Sequence, residues 1–265
     1  MPTAEILTPE DRILRYLLGG VALAAGITGF VLLMFPLETG RYFSWGLDPP
    51  PLAALIGGSY LASLLVFGIA VPRPWVEVRG LVIGTLALTL PMLASTFTHL
   101  QVFDFGRWQA WGWVLLFLAS PLCFGTVILR LRRRAAGAGA WPAPWAMMLA
   151  GGLAVSFLAI AVLLWIDPAG AAAALFPFDL PPLGGRVLGC WVSFLAFLSG
   201  WIATHTREES WIPALALSGF AVGALAGGIR TLGQLQPPGP YLAVLGILTL
   251  VGGLLLTETR RRTSH

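Results

Sequence analysis

The chain has no lysine, two cysteines, three histidines and only 12 acidic side chains in 265 residues. Each shortage excludes something. Charged residues make up 11% of the chain against 57% hydrophobic ones, about half the charge of a soluble domain. With a mean hydropathy of +0.82, the composition is that of a membrane protein. The absence of lysine leaves all 16 basic residues as Arg, which points to a GC-rich bacterial genome more than to a mechanism. These Arg flank apolar runs instead of forming one basic face. The net charge of +4 therefore speaks for lipid contact and topology and against nucleic acid.

The scarce reactive residues do not converge. Cys123 and Cys190 fall in different apolar runs, separated along the membrane normal by roughly 13 Å at about 1.5 Å per residue, too far for a disulfide. His99 and His205 fall at run edges and His265 in the tail, which speaks against the buried imidazole of a transmembrane haem site. HExxH, paired CxxC, GxSxG and a phosphate-binding glycine loop are all missing, so hydrolase and metalloenzyme chemistry lack their usual signatures. The middle of every run also lacks Asp, Glu, Lys and Arg, the groups that proton or ion coupling leaves inside a bilayer. No catalytic residue, metal site or cofactor is assigned.

What is present is a succession of apolar stretches, each near the roughly 20 residues that cross a hydrocarbon core. They run from Ile13 to Phe35, Leu52 to Val71, Val78 to Thr98, Trp108 to Leu129, Trp145 to Ile166, Gly184 to Ile202, Trp211 to Ile229 and Tyr241 to Thr257. Continuous apolarity, without alternation, predicts helices and not barrel strands. The first run is expected to remain as a span, because acidic residues flank it and it is too long for a signal-peptide core. The loops between runs include Asp48-Pro49-Pro50-Pro51, Asp179-Leu180-Pro181-Pro182 and Arg207-Glu208-Glu209.

With the amino terminus inside, twelve Arg fall on the inner side and only Arg41, Arg107, Arg186 and Arg230 on the outer side. The positive-inside rule then predicts both termini in the cytoplasm of a bacterial plasma membrane. Two tryptophan belts agree: Trp45, Trp108, Trp111, Trp113 and Trp165 outside, and Trp75, Trp141, Trp145, Trp201 and Trp211 inside.

Shifting the chain by about 131 residues lays Asp48 on Asp179, Pro50 and Pro51 on Pro181 and Pro182, and Gly58 on Gly189. Beyond the third outer loop the shift is about 128, and Arg132-Arg133-Arg134 falls on Arg260-Arg261-Arg262. The expectation is an all-α bundle of about eight transmembrane helices. It would consist of two parallel four-helix repeats, residues 1–134 and 145–265, joined by a cytoplasmic linker at 135–144. The segment Phe176-Pro177-Phe178-Asp179-Leu180-Pro181-Pro182-Leu183-Gly184-Gly185-Arg186-Val187-Leu188-Gly189, with its counterpart Trp45-Gly46-Leu47-Asp48-Pro49-Pro50-Pro51-Leu52, resembles a loop-to-helix segment of uncharacterised polytopic membrane proteins of GC-rich bacteria. That resemblance implies a type of protein and no activity.

Gly219, Gly223 and Gly227, Gly185 and Gly189, and Gly80 and Gly84 mark close helix seams. Pro91 and Pro121 are expected to kink their spans. Intramembrane hydroxyls such as Ser59, Ser63, Thr85, Thr89, Ser95, Ser120, Thr126, Ser156, Ser193 and Ser218 should bond to their own helix backbone.

The polar cluster singled out as a candidate site is on the outer face, where Arg41, Arg107, Arg186 and Arg230 lie beside Asp48, Asp104, Asp167 and Asp179. Arg186, Arg230, His99, Asp48 and Asp179 are the candidate ligand-binding residues, because a guanidinium fork suits an anionic head group. His99 aligns with Arg230, so both units carry a basic group at the outer end of their third helix. The competing expectation is that each Arg snorkels or pairs with a neighbouring Asp. Two functions follow as expectations. The first is a non-enzymatic structural or accessory subunit, with membrane lipids and other membrane-protein subunits as partners. The second is a carrier or lipid-handling protein with its site between the repeats.

Overall fold

The computed structural model describes residues 8–134, 137 and 139–261. Linker positions 135, 136 and 138 and the tail from 262, with Arg262 and His265, lie outside the described residues. Among the described residues ten α-helices follow in order: α1 Pro9–Met34, α2 Thr39–Tyr42, α3 Pro50–Ala70, α4 Trp75–Thr98, α5 Trp108–Leu131, α6 Pro144–Ile166, α7 Pro168–Leu175, α8 Pro182–Thr204, α9 Arg207–Arg230 and α10 Pro238–Arg260. A 3-10 turn follows α4 at Leu100–Val102 and another follows α9 at Leu232–Gln234. Eight of the helices are long and apolar enough to cross a membrane. The protein is all-helical and multi-pass.

The prolines read as separators are helix starts. Proline stands in the first turn of α1, α3, α6, α7, α8 and α10, where its fixed φ is preset and its missing N–H would have had no partner. Arg207-Glu208-Glu209, expected in a loop, is instead the first turn of α9. The Glu209 carboxylate accepts from the Thr206 backbone N–H at 3.3 Å while Thr206 completes the capping box, so the helix begins four residues before its apolar run. The short α7 was also unforeseen; Asp167 caps it by accepting from the Gly170 N–H at 3.0 Å.

Burial sorts the eight long helices into two sets. Within their most apolar stretches, 56–67% of residues are buried in α3, α4, α8 and α9, against 22–28% in α1, α5, α6 and α10. The first four form the centre and the others flank it. α1 packs on α3 as α6 packs on α8, and α5 packs on α4 as α10 packs on α9. Across the halves, α3 meets α9 and α4 meets α8, two contacts that correspond when the halves are exchanged, whereas α8 also packs on α9 without a comparable contact between α3 and α4.

The central seam is backbone against backbone. A Cβ added to Gly58 of α3 would collide with the Gly223 carbonyl of α9, one on Gly223 would meet the Gly58 carbonyl, and one on Gly227 the Ala54 carbonyl. The other glycine pairs are close seams as well: a Cβ on Gly80 would come within 2.6 Å of Trp201, and one on Gly185 within 2.6 Å of Pro168. The expected stripes therefore serve packing within the chain, where the lipid offers no hydrophobic drive and close approach must supply dispersion contacts.

Eight of the ten named hydroxyls donate to their own helix backbone as expected, at 2.6–3.1 Å to the carbonyl four residues earlier. Ser95 differs, lying 3.7 Å from Cys190 Sγ across the α4–α8 seam. The two cysteines are free, Cys123 exposed and Cys190 buried. Helices α4 and α5 run on through Pro91 and Pro121.

Two outcomes follow. Gly223→Val should lower Tm, because overpacking that costs about 1–3 kcal/mol in a side-chain core meets unyielding backbone here. Gly253→Ala, with nothing near its Cβ, should leave Tm unchanged or raise it. Reporter fusions at Gly139 and Pro237 should report opposite sides of the membrane; the same side for both would remove a crossing.

Candidate functional site

The structure brings together two of the five candidate ligand-binding residues. Arg186, half-buried in the first turns of α8, donates from Nη1 to His99 Nε2 at 2.5 Å and from Nε to the Trp165 carbonyl at 3.4 Å. His99, buried just after α4, accepts only as a neutral ring. Burial and the Arg186 guanidinium both hold its pKa below the ordinary histidine value. Asp48, Asp179 and Arg230 are exposed, and among the described residues none of the three makes a side-chain hydrogen bond or ion pair. The expected Arg–Asp pairing on this face does not occur. Arg107 donates instead to the carbonyls of Gly40 and Arg41, while Asp104 and Asp167 each accept a nearby backbone N–H.

The ion pairs gather at the opposite, Arg-rich end. Glu209, 2% exposed, is paired with Arg79 of α4 and accepts from the Gly137 N–H at 3.1 Å. Glu258 of α10, 1% exposed, accepts from Arg207 at 2.6 Å and from the Ala143 N–H at 3.1 Å, with Arg261 at 3.1 Å. Both carboxylates therefore hold the segment between the halves. Trp201 stacks on His205 with centroids 3.6 Å apart and donates to the Glu209 carbonyl, and Trp211 donates to Glu77 at 2.8 Å. Removing one partner of a buried pair costs about 3–5 kcal/mol, which makes this end a fastening. Local charge counting missed it because Arg79, Glu209 and Glu258 are separated by whole helices.

The tryptophans read as two belts divide by exposure. Trp108, Trp111, Trp141 and Trp145 are exposed, whereas Trp45, Trp113, Trp75 and Trp211 are buried in packing. Trp45, Trp113, Phe43, Phe103 and Phe117 form one cluster with centroids 4.4–5.4 Å apart.

The second half has a looser counterpart in Phe176, Phe178 and Tyr241, with centroids 5.6–6.4 Å apart, and contains a cavity of about 610 Å³. Its walls come from α6, α8, α9 and α10, it is roofed by the end of α7 and Phe176-Pro177, and Leu55 and Ser59 of α3 contribute from the first half. No Asp, Glu, Lys, Arg or His lines it. The wall residues Leu175 and Val244 are exposed, so it opens on the flank where lipid would lie. Within this apolar wall the buried Trp191 Nε1 and Tyr241 hydroxyl have no hydrogen-bond partner, a deficit of about 1–3 kcal/mol per group. At 100° per residue Arg186 points away from the face of α8 that carries Leu188, Val192 and Leu195, so the Arg186–His99 pair and the cavity are separate features.

The sequence reading missed Trp191 and Tyr241. A signal for the first was available, since Trp191 stands in mid-span, away from both belts. Comparison with known proteins returns no family model, no curated protein and no solved structure that matches this chain.

A neutral His99 has a pH consequence. Its depressed pKa means that the unfolded chain binds the proton more readily, so its contribution is complete above the ordinary value near 6.5 and is lost as pH falls through the lower folded value. Tm should therefore drop on acidification from pH ~7 to ~5. His99→Gln, which keeps an acceptor for Arg186 but cannot titrate, should flatten that drop; an unchanged slope would count against the assignment.

Proposed function

We propose that the chain is a non-enzymatic, lipid-handling protein of a bacterial plasma membrane, built from two parallel repeats with the Arg-rich end and both termini in the cytoplasm. The cavity of about 610 Å³ carries this reading. It has the size of a small-molecule site, uncharged walls, and an opening on the membrane flank, so the apolar part of a lipid enters it without crossing water. The repeated order of long helices and the corresponding α3–α9 and α4–α8 contacts support the duplication. The excess of Arg at one end supports the orientation. The position differs from the site first expected between the repeats: the second half supplies most of the wall, with α3 closing one side. An accessory-subunit role drew on exposed apolar helix faces, and α1, α5, α6 and α10 would present these to lipid in any case.

Ala221→Phe should fill the cavity between α9 and α10 and strip most of the lipid that co-purifies in mild detergent, read by native mass spectrometry. Val155→Phe, on an exposed face of α6 outside the cavity, should retain it. Equal lipid occupancy in both variants would remove the lipid-handling proposal.

A further inference from the structure

A second recess lies in the other half of the molecule and shares no residue with the cavity. It is a groove of about 510 Å³ between α1 and α5 at the Arg-rich end. Ile13 and Leu17 of α1 and Leu122 and Val127 of α5 form its apolar wall, with Tyr16 and Cys123 exposed along it. Glu10, the second residue of α1, and Arg130, the last but one of α5, also line it. The spacings of Glu10, Ile13 and Leu17 and of Cys123, Val127 and Arg130 put each set on one helix face. From Glu10 to Leu17, and from Leu122 to Arg130, the walls run roughly 10–12 Å at about 1.5 Å per residue. That is most of one leaflet of a hydrocarbon core about 30 Å thick.

The rim carries one charge of each sign, and neither is spent within the protein. The ion pairs among the described residues fall elsewhere, and Glu10 and Arg130 make no side-chain hydrogen bond there, with each other or with another group. Their neighbours are engaged. Asp11 pairs with Arg134 at 2.5 Å and ties the start of α1 to the chain just beyond α5, which fixes the two helices beside the groove. The Thr126 hydroxyl donates to the Leu122 carbonyl at 2.7 Å.

Each class of occupant meets that rim differently. A hydrocarbon chain alone leaves both charges to water. An anionic head group answers Arg130 and is repelled by Glu10. A quaternary ammonium has no N–H to donate to the Glu10 carboxylate. A head group with both a phosphate and a primary ammonium answers the two together, with charge-assisted hydrogen bonds at each.

We propose that the groove between α1 and α5 binds a phospholipid of the ethanolamine class, its ammonium on Glu10, its phosphate on Arg130 and one acyl chain along Ile13, Leu17 and Leu122. This site rests on the membrane-spanning fold and stands apart from the lipid-handling reading of the cavity.

The test adds dioleoylphosphatidylethanolamine, dioleoylphosphatidylglycerol or dioleoylphosphatidylcholine to the delipidated full chain in detergent and reads affinity by native mass spectrometry. The ethanolamine lipid should bind at least about threefold more tightly than either of the others. Glu10→Gln should erase that preference. Arg130→Gln should weaken the ethanolamine and glycerol lipids alike, by about 2–10-fold, the range of one hydrogen bond. Neither substitution removes a bond within the protein, so Tm should hold. Cys123→Trp, which fills the groove from α5, should also remove the preference, whereas Ala221→Phe in the cavity should keep it. Equal affinity for the three lipids, or the parental preference in Glu10→Gln, overturns the proposal. If Ala221→Phe removes the preference and Cys123→Trp keeps it, the lipid sits in the cavity: the groove site falls and the lipid-handling reading stands.

Discussion

The backbone contact between α3 and α9 is the constraint on which the rest of the bundle depends. Gly58, Gly223 and Gly227 let two helices from opposite halves approach until carbonyls, not side chains, define the spacing. In lipid, where apolar side chains gain nothing by leaving their solvent, this proximity supplies the attraction. Once it is set, α4 and α8 meet across the same centre, and α1, α5, α6 and α10 are left as a flanking layer whose outer faces stay exposed.

That arrangement places charge at one end and space near the other. The Arg-rich end is closed by the buried carboxylates Glu209 and Glu258, each holding an Arg and a backbone N–H of the segment joining the halves. The cost of desolvating these groups is offset only because several donors converge on each. Toward the Arg-poor end the halves differ: five rings cluster tightly in the first, while the second has the looser Phe176, Phe178 and Tyr241 group and an uncharged cavity.

Much of the scaffold was legible in the chain because lipid imposes strict local rules. Continuous apolar runs marked the eight long helices to within a few residues, since the bilayer requires every backbone group to be paired within its own segment. The same requirement made hydroxyl bonding to the helix backbone predictable. Glycine spacing revealed which faces pack closely, although not against what. The errors lay where distant residues decide: Glu209 looked like part of a loop until its cap and its Arg79 partner were in place, and Trp45 and Trp113 looked like interfacial anchors until their rings met.

The sequence by itself determined the class of protein, the number of long helices and the distribution of Arg, because each depends on stretches of some twenty residues and on the surrounding lipid. Only the tertiary structure decided which glycines meet, that Arg186 faces His99 and not an Asp, and that Asp48, Asp179 and Arg230 stand apart. It alone left Trp191 Nε1 and the Tyr241 hydroxyl buried without a partner. The reason is that an unsatisfied donor is defined by what surrounds it, and those surroundings come from α3, α6, α8, α9 and α10 together.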